Sequence, residues 1–186
     1  MRHVLLFSVV FLFVAYLSGC DGQNAGSDLT NAVDLAKSTD RPGTVALERN
    51  SRNFRAHLSG GEEVPSVATR AQGQAIFQLN ADGTELHYKL IVANIENILQ
   101  SHIHVAPAGT NGSVVCFLYP SGPPAVLIPG RFSGVLREGT ITASNLIGPL
   151  AGQPLSALLE AMESGNTYVN VHTTQNPSGE VRGQIR

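Results

Sequence analysis

The sequence SHIHVAPAGTNGSVVCFL, residues 101–118, contains the pattern from which the fold can be inferred. A β-branched residue stands on either side of its second histidine, which favours a strand. Alternate side chains of a strand point to the same face, so His102 and His104 share one face. The Pro/Gly/Asn-rich residues 106–112 predict a tight loop, and residues 113–118 predict a second strand. Two imidazoles on one face beside a loop form either an exposed polar face or half of a metal site.

The composition of the 186 residues favours one domain built from short strands. Nineteen Gly and ten Pro supply many turns, whereas the aromatic content is only 6% and Trp is absent. The formal net charge of −2 provides no electrostatic footprint for nucleic acid. A nucleic-acid partner is therefore not expected.

The N-terminal residues resemble a bacterial lipoprotein signal. The apolar run over residues 4–16 is too short to span a bilayer comfortably and is typical of a signal peptide. The motif Leu-Ser-Gly-Cys at residues 17–20 resembles a lipobox, in which the cysteine is acylated and becomes the first mature residue. We therefore predict a lipoprotein signal peptide over residues 1–19 and lipidation of Cys20, for example with palmitate. The protein would be exported and anchored to the periplasmic or extracellular face of the bacterial cell membrane. An ordinary secretory signal with a chance cysteine is the alternative.

Two segments follow this signal. Residues 20–53 comprise the lipidated N-terminus and a stretch rich in Gly, Asn, Ser, Asp and Thr, which indicates a flexible tether. Alternating apolar residues predict that residues 54–186 form the folded domain. The predicted strands cover residues 54–58, 73–79, 86–92, 101–105, 113–118, 131–136, 140–143, 167–173 and 180–185. A turn is expected at Glu138-Gly139, between two of these short strands.

One helix is expected among the strands. Its apolar stripe at helical spacing consists of Leu155, Leu158, Leu159 and Met162. Gly165-Asn166 should end it, as a C-terminal cap does. Many short antiparallel strands with one short helix predict a mainly β fold, an antiparallel Greek-key β-sandwich.

A third histidine lies near the end of another predicted strand. His172 shares a face with Asn170, whereas the neighbouring valines point to the other face. If the two strands are neighbours, His102, His104 and His172 could converge on one site, and three neutral imidazoles suit Cu or Zn. The pattern also loosely resembles the copper ligands of Cu/Zn superoxide dismutase. The alternative is that the histidines make structural hydrogen bonds between loops and the sheet.

Other polar residues receive supporting or structural roles. Asn170 and Glu180 could orient the histidines from behind. Cys116 alternates with apolar residues, which predicts a small buried apolar side chain, with metal ligation as the alternative. A further group is expected to be exposed to solvent, namely His57, His87, Glu62 and Glu63.

Several motifs of the predicted domain resemble the CHRD domain, which is named for chordin and is common in secreted microbial proteins. The matching motifs are SGGEEVP at residues 59–65, HIH at 102–104 with Gly109 and Asn111-Gly112, FSG at 132–134, TYVNVHT at 167–173 and PSGEVRGQI at 177–185. The resemblance covers nearly all of the predicted domain. It implies an extracytoplasmic β-domain and does not imply a particular reaction; with the lipobox-like motif, the chain resembles a bacterial lipoprotein form of this family.

Three functions remain open at this level. The first is a non-catalytic envelope module that binds a metal ion, a protein or a glycan. The second is a copper-dependent redox enzyme similar to superoxide dismutase, and the third is a purely structural envelope protein. The first is favoured because no nucleophile elbow, phosphate loop or acid/base pair can be named. No catalytic residue is therefore assigned, and enzymatic activity is not expected.

Overall fold

The structure is a computed structural model that describes residues 52–186. The predicted signal peptide, the lipidation site at Cys20 and nearly all of the predicted tether lie outside the described residues. The described chain contains seven strands and one α-helix, with three 3₁₀ turns between them. Their bounds are β1 Asn53–Ser59, β2 Gln72–Leu79, β3 Leu86–Val105, β4 Ser113–Tyr119, β5 Ile128–Ile141, α1 Leu155–Glu163, β6 Thr167–Thr173 and β7 Val181–Gln184.

The seven strands form one antiparallel sheet that closes on itself. The hydrogen-bonded order is β2-β1-β7-β6-β3-β4, and β2 also pairs with β3, which completes a ring of five strands. β4 and β5 each pair with β3 outside that ring. The prediction of a mainly β, sandwich-like fold with one helix is confirmed, and the closure makes the arrangement barrel-like.

β3 is the strand around which the sheet is arranged. Its N-terminal half pairs with β2 and β5, and its C-terminal half pairs with β4 and β6. The prediction of separate strands over residues 86–92 and 101–105 was wrong, because both are parts of Leu86–Val105. Asn94 and Asn97 adopt positive φ angles of 56° and 53°, where the pairing with β5 shifts in register. Asparagine tolerates this left-handed region, so the strand can bend without ending.

β5 is likewise one strand where two were predicted. The expected turn at Glu138-Gly139 is wrong, because Gly139 pairs with Tyr88 in the continuous ladder between β5 and β3. A Cβ atom added to Gly139 would lie 2.8 Å from Cε1 of Tyr88. This glycine therefore permits a close approach of the tyrosine ring and does not mark a turn.

The core fills the closed sheet and extends beneath the helix. The predicted helix is confirmed, and its four apolar stripe residues are all buried. Burial of each such leucine or methionine contributes about 2 kcal/mol. Gly165, with φ of 68°, follows the helix and allows the chain to turn into β6. None of the helices within residues 52–186 has the length and apolar character needed to cross a membrane.

β6 is the central strand that positions the candidate site. It pairs with β3 on one side and with β7 on the other. All seven of its residues are buried, including polar ones. Polar side chains on such a strand must find partners inside the protein.

Candidate metal centre

The three predicted histidines lie together on the neighbouring strands β3 and β6. His102 stands directly opposite Asn170, and His104 stands opposite Tyr168. His172 follows on the same face of β6, so all three imidazoles point to one region. One nitrogen of each ring lies within 4.8 Å of the others. The arrangement of the strands, with a spacing of about 4.8 Å between neighbours, is what brings them together.

Two of the rings are held from behind by backbone carbonyl groups. Nδ1 of His104 donates to the carbonyl oxygen of Gly112 at 2.9 Å, and Nδ1 of His172 donates to that of Pro177 at 3.0 Å. A carbonyl oxygen only accepts, so each Nδ1 carries the proton and each Nε2 carries a lone pair. Metal-binding histidines are commonly oriented by such bonds from the second nitrogen.

Asn170 lies between the two Nε2 atoms. Its Oδ1 position is 3.0 Å from Nε2 of His104 and 3.0 Å from Nε2 of His172. Two lone pairs facing a carbonyl oxygen would repel it. The amide is therefore satisfied only when it is turned so that its NH₂ group donates one hydrogen to each ring. Asn170 was predicted to orient the histidines from behind; it does contact two of the rings, but at the Nε2 atoms that face the site and not at the Nδ1 atoms behind them.

His102 completes the cluster with its Nδ1 atom, which lies 3.2 Å from Nε2 of His172. Because that Nε2 carries a lone pair, Nδ1 of His102 must donate to it in the absence of a metal. The other nitrogen of His102, Nε2, is buried and has no hydrogen-bond partner within the described residues. The ring of Phe117 packs against His102 with its centroid 4.8 Å away.

Burial determines the charge of the three rings. His102, His104 and His172 are 4%, 7% and 6% exposed. Desolvation lowers the pKa of all three, because the charged imidazolium is disfavoured in this environment. The pKa of His102 is lowered to about 3. Burial is the largest cause, and the neighbouring His172 and His104 lower the pKa further. The rings are therefore neutral near pH 7, so no ring has to release a proton before it binds a metal.

A stack of aromatic and cationic groups supports His104. Its ring stacks on Tyr168 with centroids 4.6 Å apart, and Cζ of the Arg182 guanidinium lies over the tyrosine ring, 3.4 Å from its centroid. Arg182 is only 1% exposed. It donates to Oδ1 of Asn111 at 3.1 Å and to the carbonyl of Thr110 at 2.9 Å. These bonds fix the loop whose last residue holds the His104 ring.

Sequence reasoning missed Arg182, because a charged residue in a short terminal strand is usually exposed. It also misplaced Glu180. The carboxylate of Glu180 accepts bonds from the hydroxyl groups of Thr69 and Thr173, both at 2.7 Å, and no bond from a histidine. Its role is therefore to connect loops next to the site.

Cys116 and the exposed histidines behave as simple packing predicts. Cys116 is 1% exposed and is not part of the three-histidine group. Burial raises the pKa of its thiol to about 12, so it stays protonated and is a poor metal ligand. The side chains of His57 and His87 are exposed, as expected.

Glu63 was expected in solvent, and that expectation is wrong. The residue is 7% exposed and lies against Gly179, where any side chain would collide with its carboxyl group. Burial raises the pKa of Glu63 to about 7, although the nearby Arg182 acts in the opposite direction. The carboxyl atom Oε1 is buried with no hydrogen-bond partner among the described residues. The adjacent Glu62 is exposed, so the motif places two acidic residues in opposite environments.

Comparison with known proteins adds a family assignment to this geometry. The family model described as CHRD domain matches residues 54–185. The protein "Chordin" of Danio rerio is 26% identical over 145 residues, a match that covers 77% of this chain and 13% of that protein. The chain thus spans only a small part of the length of this curated relative. No solved structure gives a significant match.

Proposed function

The chain belongs to the CHRD domain family, and we propose that its domain is an exported binding module that holds one copper or zinc ion between His102, His104 and His172. The observation that carries the proposal is the orientation of the rings. Two backbone carbonyls fix the Nδ1 protons of His104 and His172, so that each Nε2 presents a lone pair, and Nε2 of His172 lies 3.2 Å from Nδ1 of His102. Imidazole nitrogens are preferred ligands of both metals.

The hydrogen bonds of the cluster favour this proposal over a purely structural role. Without a metal, both Nδ1 of His102 and the amide of Asn170 approach the single lone pair on Nε2 of His172. One ring lone pair accepts one hydrogen bond well, so two donors compete for it. A cation among the rings would instead bind all three lone pairs, and the amide of Asn170 would turn away from its present bonds to the Nε2 atoms. His102 would then bind through Nδ1 and keep its proton on Nε2.

The test is metal titration of chelator-treated, purified protein, followed by metal analysis after desalting. The wild type should bind one equivalent of copper or zinc. Replacing His102, His104 or His172 by alanine should weaken binding by about 100-fold or more, since each removes one of three donors. His87→Ala is the matched control, because His87 lies on β3 but is exposed, and its ring contacts Thr140 and Glu85. Equal metal binding by the control and by the variants of the three histidines would contradict the proposal.

The same preparation separates the remaining functions. Superoxide turnover by the copper-loaded protein, lost in His172→Ala, would support the redox enzyme. Failure to take up any metal would leave two functions, a module that binds an envelope protein or a glycan and a purely structural protein.

Membrane anchoring is the second part of the proposal. The signal peptide over residues 1–19 and the lipid on Cys20 would hold the domain at the bacterial cell membrane through the tether of residues 20–53. Its support is the lipobox-like motif at residues 17–20. Two acyl chains are sufficient for stable anchoring, because each buried CH₂ contributes about 0.8 kcal/mol.

A further inference from the structure

We infer that the three-histidine site selects monovalent copper, Cu(I), over divalent Cu²⁺ and Zn²⁺. This inference rests on the proposed metal site and adds the charge of the ion to it. It is drawn from the charges, the burial and the number of donors around the three rings.

The donor set carries no negative charge. Within residues 52–186, the group of potential ligands around these nitrogens contains three histidines and no Asp, Glu or Cys. The side chain that bridges two of the rings is the neutral amide of Asn170. The partners behind His104 and His172 are backbone carbonyls, which are also neutral. A divalent ion would therefore bring two positive charges with no counter-charge among its contacts.

The surroundings make that charge costly. The three rings are at most 7% exposed, and the aromatic rings of Phe117 and Tyr168 pack against His102 and His104. The Born cost of transferring an ion from water grows with the square of its charge, so a divalent ion is penalised about four times as strongly as a monovalent one of similar size.

The charge beyond the tyrosine has the same effect. The guanidinium of Arg182 stacks on Tyr168, which itself stacks on His104. Its positive charge repels any cation in the site, and the repulsion is twice as large for a divalent ion. The carboxylate of Glu180 is bonded to the hydroxyl groups of Thr69 and Thr173 and is not a member of the ligand group.

The number of donors points in the same direction. Zn²⁺ is almost always four-coordinate in proteins, whereas the d¹⁰ ion Cu(I) is stable with three nitrogen ligands. Metal binding at the two Nε2 atoms replaces their bonds to Asn170 and frees this amide to turn, so the fourth ligand that the described residues could add is a neutral amide oxygen, a type of donor that suits hard cations. The site as folded therefore offers three neutral donors, the number that Cu(I) accepts.

The experiment compares the full-length protein with Asn170→Asp, which keeps the shape of the side chain and adds one negative charge. Cu(I) affinity is measured without oxygen by competition with bicinchoninate, and Zn²⁺ and Cu²⁺ affinities by competition with chromophoric chelators. The wild type should bind Cu(I) more tightly than both divalent ions. Asn170→Asp should narrow the ratio of Cu(I) to Zn²⁺ affinity by about tenfold or more, because a carboxylate interacts more strongly with a divalent ion.

A second pair of variants tests the same effect in case Asn170→Asp does not fold. Phe117 is half-buried against His102, so Phe117→Asp places a carboxylate near the site, and Phe117→Asn is its neutral control. The ratio of Cu(I) to Zn²⁺ affinity should again be smaller in Phe117→Asp than in Phe117→Asn.

The outcomes distinguish the inference from the metal site itself. Tighter binding of Zn²⁺ or Cu²⁺ than of Cu(I) would overturn the inference and leave the metal site intact. A preference for Cu(I) that neither carboxylate changes would overturn the electrostatic basis. No binding of any of the three ions would overturn both proposals.

Discussion

Acidification should destabilise the metal-free domain through His102. Its pKa in the folded protein is about 3, lowered from 6.5 by burial and by the neighbouring His172 and His104. Between these values the unfolded chain binds a proton that the folded chain excludes, so the free energy of unfolding falls as the pH falls. The effect begins near pH 6.5 and ends near the folded pKa. Each pH unit in that window should remove about 1.4 kcal/mol.

Glu63 contributes with the opposite sign. Burial raises its pKa from 4.5 to about 7, so the folded state binds the extra proton between these values. Acidification from pH 7 to pH 4.5 therefore stabilises the domain through Glu63 and partly hides the effect of His102. Comparison of the wild type with His102→Gln removes the contribution of Glu63, which both proteins retain, and leaves that of His102 and its contact with His172.

The assay is urea unfolding followed by circular dichroism at pH 7 and pH 5, with a chelator present. The free energy of unfolding of the wild type, relative to His102→Gln, should fall by about 2 kcal/mol between the two pH values. The exposed residue His87 provides the control, since His87→Gln should follow the wild type. An identical pH dependence in the wild type and His102→Gln would refute the reasoning.

Three further predictions concern residues outside the triad. At pH 8, Glu63→Gln should raise the free energy of unfolding by up to about 3 kcal/mol more than the same substitution does at pH 4. Equal effects at both pH values would contradict the raised pKa of Glu63. Arg182→Met should lower the free energy of unfolding by about 2–4 kcal/mol in urea, through its bonds to Asn111 and Thr110 and its stacking on tyrosine; a loss below about 1 kcal/mol would be inconsistent with this. Cys20→Ala should move the protein from the membrane to the soluble fraction; a mature variant still in the membrane would show another anchor.

The sequence allowed the type and position of most elements to be predicted, but not their continuity. Period-two patterns locate β6 and both ends of β3 correctly, because apolar and polar residues alternate along them, although every residue of β6 is buried. That residues 86–105 form one strand could not be predicted, since asparagine residues such as Asn94 and Asn97 usually stand where a strand ends. Here they bend it, and the pairing partners that keep it extended come from distant parts of the chain.

The candidate site could be inferred from spacing only in part. Alternation predicts that His102 and His104 share a face, but only the pairing of β3 with β6 brings His172 beside them. Arg182 and Glu63 were missed for a different reason. Their burial depends on tertiary neighbours such as the loop that ends at Gly112 and the turn at Gly179, which no local pattern reveals.

The most direct test of the metal centre is a long-range ¹H–¹⁵N spectrum of the histidine rings before and after one equivalent of metal. Without metal, His104 and His172 should be protonated on Nδ1, as their bonds to carbonyl oxygens require. Metal should then shift Nε2 of these two rings and Nδ1 of His102, and leave the exposed His57 and His87 unchanged. Triad resonances that do not respond to metal, or that respond no more than those of the two exposed histidines, would contradict the account.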